Sequence, residues 1–108
     1  MDVFYALAEP RRRAIVEILA KRGKMSATEI SDNFDVSPQA ISQHLKVLRE
    51  VNLLKMKRQA QQRIYQLNTH SIHKVEEWAK HATELWDARL DRLDQVLMEE
   101  KENAKKVR

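Results

Sequence analysis

The run DVSPQAISQHLKVLREVNLL, from Asp35 to Leu54, narrows the possible folds of this chain more than any other stretch. Ser37 can cap a helix through its hydroxyl, and Pro38 then takes the first helical position, where its missing N–H costs nothing. Ile41, Leu45 and Leu48 recur at i, i+4 and i+7, so one stripe of the helix Ser37–Val51 is expected to be buried. The opposite face carries Gln39, Ser42, Gln43 and Lys46, followed by Arg49, with no carboxylate before Glu50. Amides and hydroxyls of this kind read base edges in a DNA major groove, and the cations meet phosphates. An ordinary solvated helix face would mix both signs of charge.

The distribution of charge agrees with that reading. Residues 36–75 hold Lys46, Arg49, Lys55, Lys57, Arg58, Arg63 and Lys74 against Glu50 alone, a balance of +6. Residues 76–102 invert it, with nine acidic side chains against four basic ones. Solubility requires no such segregation, whereas a basic block beside an acidic helix is the footprint of a nucleic-acid partner.

The elements around the central helix can be read from caps and periodicity. Phe4, Leu7 and Ala8 form a short apolar patch before Pro10, which starts a helix with Ala14, Ile15, Ile18 and Leu19 on one face and Gly23 as its stop. Ser26 and Glu29 have capping-box spacing ahead of a short helix expected to bury Ile30 and Phe34. Two helices joined through residues 32–37, the second with a polar outer face, make a helix-turn-helix.

After it, Leu54 and Met56 alternate with Lys55 and Lys57, and Ile64-Tyr65-Gln66-Leu67 is rich in strand formers. Between these strands lies an acid-free tip, Arg58 to Arg63, containing Gln61 and Gln62. The pair reads as a basic wing that places Lys57, Arg58, Gln61, Gln62 and Arg63 on the DNA backbone or minor groove. Its tip lacks glycine, so a loop longer than two residues is one option.

From Ser71 onward one helix of nearly thirty residues is expected. Its stripe runs through Val75, Ala79, Ala82, Trp86, Leu90, Leu93 and Leu97 and is widened by Trp78, Leu85 and Val96. A single small domain cannot cover so long a stripe, which points to a second subunit; the alternative is that Trp78 and Trp86 cap the domain's own core. The fold expected is therefore mainly α with a small β-hairpin, a winged helix-turn-helix and dimerisation domain over residues 1–102 with a frayed basic tail at 103–108.

Composition closes several other classes. The chain has 108 residues, one glycine, two prolines and no cysteine, so disulfides, thiolate metal sites and thiol redox switches are excluded. No apolar run approaches a membrane span and MDVFYALAEPRRR lacks the layout of a signal peptide, so no membrane partner and a cytoplasmic location are expected. No Ser/His/Asp set and no glycine-rich phosphate loop supports an enzyme, and no cofactor is expected. A winged helix that binds only protein would be favoured by acids on the wing, and none lies between Val51 and Val75.

ALAEPRRRAIVEIL, SATEISDNFDVS, PQAISQHLKVLREVNLL and RIYQLN together resemble the ArsR-type winged-helix repressors, over residues 3 to about 97. The tail WAKHATELWDARLDRLDQVL is similar to a cysteine-free branch whose genes often lie beside one for a small lipid-binding-like protein. The resemblance implies a homodimer joined through its first and last helices, with Phe4 and Leu7 contributing alongside Ala82, Trp86, Leu90, Leu93 and Leu97. It also implies repression by occupying a palindromic double-stranded operator, in the protein's own promoter or an adjacent operon. Gln39, Ser42 and Gln43 match the family's base-reading positions, with Ser37 and Lys46 nearest the phosphates.

Better known members release DNA when a metal binds, so a metal-responsive repressor using the last helix is the alternative. His70 and His81, with Asn68 before and Glu84 after, approach the family's carboxylate-imidazole pattern. Asn68 is a weak zinc donor, however, and the histidines fall one residue from the matching positions. His44 fits the helix pattern as a packing or hydrogen-bonding residue rather than a ligand.

Overall fold

The computed structural model describes residues 1–106, in two compact units, one ending at His73 and the other beginning at Lys74. In the first, Asp2 caps α1 (Val3–Leu7) by accepting from the Tyr5 N–H at 2.9 Å. α2 (Pro10–Arg22) is capped by Glu9, with Pro10 at its start, and stops at Gly23, whose φ of 85° suits a residue without Cβ. Only a short link separates it from the capping box of Ser26 and Glu29, which starts α3 (Ala27–Ser31). Ser37 then opens α4 (Pro38–Glu50) by accepting from the Ala40 N–H at 3.1 Å.

α4 buries the stripe expected of it. Ile41, Leu45 and Leu48 are at most 1% exposed and join Ala6, Ile15, Leu19 and Ile30 in one core. Burial of each large aliphatic contributes about 1.5–3 kcal/mol. Phe34, expected in the core, packs against it only partly buried.

The end of α4 is a Schellman motif with asparagine where glycine is usual. Asn52 adopts φ 61°, its N–H reaches the Arg49 carbonyl at 3.0 Å, and the Leu53 N–H reaches that of Leu48 at 2.9 Å. The buried pair Leu48 and Leu53 supplies the accompanying apolar contact. Ser71, also buried, donates its hydroxyl to the Asn52 carbonyl at 2.6 Å and so ties the first turn of the last helix to this cap.

The sheet has three antiparallel strands, not the two expected. β2 (Leu54–Gln59) and β3 (Gln62–Leu67) pair from Leu54↔Leu67 to Gln59↔Gln62, and β1 (Met25–Ser26) joins the far side of β3. Two residues are too few to show an alternating pattern, and Ser26 serves both as strand end and helix cap. The wing turn is two residues long, Ala60-Gln61, despite the missing glycine.

Ala60 takes φ 56°, the sign pattern of a type II′ turn, in which the first central residue is left-handed. An alanine there is strained by about 1–2 kcal/mol, and glycine would relieve this at an unfolded-state entropy cost of about 0.4–1 kcal/mol. Ala60→Gly should therefore stabilise the domain by about 0.5–1 kcal/mol, and Ala60→Ile should destabilise it. Thermal unfolding of the two variants reads the sign directly. A lower Tm for Ala60→Gly would rule out a left-handed turn residue.

α5 (Thr69–Lys106) begins two residues before the expected Ser71 and runs on through Asn103–Lys106, where the chain was expected to fray; Val107 and Arg108 lie outside the described residues. Ile72, in its first turn, packs on the core of the first unit. In the second unit Trp78 and Trp86 are 59% and 57% exposed. No described helix is long and apolar enough to cross a membrane.

Candidate nucleic-acid interface

Side chains alternate between the two faces of a strand, so the register of the wing sorts its residues. Leu54, Met56 and Arg58 share one face with their partners Leu67, Tyr65 and Arg63. Leu54 and Tyr65 are buried there, which fixes that face toward the core, and Arg58 and Arg63 extend it outward to the exposed tip. α4 presents its polar side to the same region. Ser42, Gln43, Lys46 and Arg49 line a concavity of about 340 Å3 together with Arg63 and Tyr65. No carboxylate lines it.

Such a concavity combines a hydroxyl and an amide, which can discriminate base edges, with three cations for flanking phosphates. Gln39 is exposed at the start of α4 outside this hollow, and Ser37 is exposed beside it. The Ser37 oxygen accepts from the Ala40 N–H, which leaves its O–H free to donate to a phosphate. At the tip, Arg58, Gln61, Gln62 and Arg63 enclose a smaller hollow of about 240 Å3 with Ala60.

Two residues belong with the site that the sequence reading did not assign to it. Tyr65 lines the concavity from β3, although its apolar neighbours mark it as core. Thr28, on α3, shares a groove of about 180 Å3 with Pro38 and Ser42. Lys57, by contrast, lies on the other face of the sheet. It pairs with Ile64 across the strands and lines a separate groove with Lys24 and Lys55.

α4 is also held from behind. Arg12 donates from Nε to the Ala6 carbonyl at 2.7 Å and from Nη2 to the Tyr5 carbonyl at 3.2 Å, with its guanidinium 5.4 Å from the Tyr5 ring centroid. Arg13 donates to the Leu7 carbonyl at 2.7 Å, so these two arginines satisfy carbonyls at the end of α1. The Nη1 of Arg12 lies 3.5 Å from Nδ1 of His44 on α4, which is 3.9 Å from the Glu9 carboxylate.

His44 is therefore a hydrogen-bonding residue linking α4 to the α1–α2 junction. Burial opposes ionisation of Glu9, but backbone donors at Arg12 and Arg11, together with favourable electrostatic interactions with the neighbouring His44 and Arg12, outweigh it and hold its carboxyl below the usual range. The stability this carboxylate contributes is complete above its unfolded-state value and is lost as pH falls through the lowered one.

The residues expected at a subunit contact divide between the units. In the first, Leu7 packs partly buried on the core and Phe4 is 43% exposed. In the second, Ala82, Trp86, Leu90, Leu93 and Leu97 are all exposed. Among the described residues no three His, Asp or Glu side chains are grouped closely enough to hold one metal ion.

Comparison with known proteins agrees with this geometry. Residues 7–57 match the model of a helix-turn-helix domain. The chain is 35% identical over 77 residues to the transcriptional repressor SdpR of Bacillus subtilis, covering 71% of this chain and 84% of that protein. It is 31% identical to the arsenical resistance operon repressor of the same organism, over 65% of this chain and 67% of the relative. An ArsR-like transcriptional regulator from Rhodococcus sp. RHA1 superposes with a TM-score of 0.76 at 28% identity, over 87% of this chain and 88% of the other. With a three-stranded winged sheet, a polar α4 and no cysteine, the chain belongs to the ArsR family of winged helix-turn-helix transcriptional repressors.

Proposed function

We propose that the protein is a homodimer that represses its own or an adjacent operon by occupying a palindromic operator. Two α4 helices enter successive major grooves about 34 Å apart, and the wings rest on the flanking backbone. The observation that carries this reading is the acid-free concavity in which Ser42, Gln43, Lys46 and Arg49 face Arg63. Dimerisation is supported by the row of exposed large apolar side chains on α5, which water alone would leave unfavourably solvated.

Within the interface, Gln43 discriminates bases while Arg58 and Arg63 supply general affinity. A glutamine can pair twice with adenine, so Gln43→Ala should lose about 1–3 kcal/mol on the operator and relax the preferred base at one position per half-site. Arg58→Ala should weaken operator and random duplex alike. Selection of binding sites from a random duplex pool separates the two effects. An unchanged site profile for Gln43→Ala would remove that residue from the readout, and failure to enrich any palindrome would sink the operator reading.

A further inference from the structure

Lys24, Lys55 and Lys57 meet in a groove of about 620 Å3 on the face of the sheet turned away from the α4 concavity. The register explains why they converge. Met25 pairs with Tyr65, so Lys24, one residue earlier, comes level with Gln66 on one side of β3, and Lys55 pairs with Gln66 on the other. Neighbouring strands lie about 4.8 Å apart, so the two lysines flank Gln66 with backbones about 10 Å from each other. Lys57 follows two residues after Lys55 on the same face, beside Ile64.

All three lysines are exposed, none forms an ion pair among the described residues, and no carboxylate lines the groove. Lysines on an edge strand discourage sheet-to-sheet aggregation, which accounts for Lys55 and Lys57 on β2. It does not account for Lys24 arriving across Gln66 to close a cationic triangle. A duplex seated against Ser42 and Arg63 lies on the opposite face and leaves this triangle uncovered.

We propose that the groove is a binding site for a small polyanion bearing phosphate or clustered carboxylate oxygens. The three ammonium groups neutralise its charge, the amides of Gln59 and Gln66 donate hydrogen bonds, and Ile64 forms an apolar floor. The strands that carry the groove also carry Arg58 and Arg63 on their other face. A bound polyanion therefore reduces the positive potential of the wing and weakens operator binding, and by linkage operator weakens the anion to the same degree. This regulatory consequence rests on the operator reading; the site itself does not.

The test is a titration of the 108-residue chain with pyrophosphate and, separately, citrate at constant ionic strength, followed by calorimetry and amide NMR. One or both should bind saturably, with shifts concentrated at Lys24, Lys55–Lys57 and Ile64–Gln66, and the stronger ligand identifies the oxyanion type. Lys24→Gln should weaken that binding about tenfold, since it removes one charged contact, while Arg63→Gln should leave it nearly unchanged. Saturating anion should lower operator affinity at least fivefold in the parent.

Shifts centred on Ser42–Arg49, equal sensitivity to both variants, or no saturable binding would overturn the proposal. If instead Lys24→Gln weakened binding to a long duplex and neither anion bound, the lysines would be contacts to flanking DNA. Anion binding without any operator affinity would retain the site and reject the operator reading.

Discussion

Raising salt from about 50 to 200 mM should cost the protein on the order of 10³–10⁵ in operator affinity. Lys46 and Arg49 on α4 and Arg58 and Arg63 on the wing face are exposed, and Ser37 adds a hydroxyl donor. Two copies of this set neutralise about six to ten phosphates, and each neutralised phosphate releases condensed counterions, which steepens the salt dependence. A fluorescence titration of a labelled upstream duplex at four salt concentrations gives the slope. Arg63→Gln should reduce it by roughly two per dimer, whereas Lys57→Gln, on the opposite face, should leave it unchanged. A flat response, or equal affinity for random duplex at every salt concentration, would contradict a specific repressor. A reduced slope for Lys57→Gln would place the far face of the wing on DNA as well.

Leu93→Asp should abolish the dimer and with it nearly all operator binding. Leu93 is 53% exposed in the protomer and flanked on its stripe by Trp86, Leu90 and Leu97, which are 57%, 40% and 48% exposed. A carboxylate placed among them would lose its hydration in the proposed dimer, and an unpaired buried charge costs about 3–5 kcal/mol. In the monomer the same carboxylate faces water and costs little. The helix-turn-helix core lies in the first unit, so circular dichroism should stay close to that of the parent. Loss of the second half-site then removes the avidity term, about 10²–10⁴ in affinity. Light scattering of the variant decides the matter. An intact dimer would move the interface off this stripe, toward Phe4 and Leu7.

Much of this protein is written locally in its sequence. Ser37-Pro38, the stripe Ile41-Leu45-Leu48 and the polar residues between them specify α4 and its exposed face, because caps and helical periodicity act over a few residues. The Ser26–Glu29 box and the stop at Gly23 are equally local. The apolar stripe of α5 is visible as spacing alone, because residues three and four apart share one face of a helix.

Strand pairing decided the rest. Met25 and Ser26 become a strand only because β3 offers them a free edge, and Ala60 accepts a left-handed backbone only because Gln59 and Gln62 must pair across it. The alternation of Leu54 and Met56 with Lys55 and Lys57 is plain in the sequence, but basic composition alone groups these lysines with Arg58 and Arg63 as one wing. Registration against β3 separates them, sending Arg58 and Arg63 to the α4 side and Lys55 and Lys57 to the groove with Lys24. A one-residue shift in that pairing would reverse the assignment, because side chains on a strand repeat with period two.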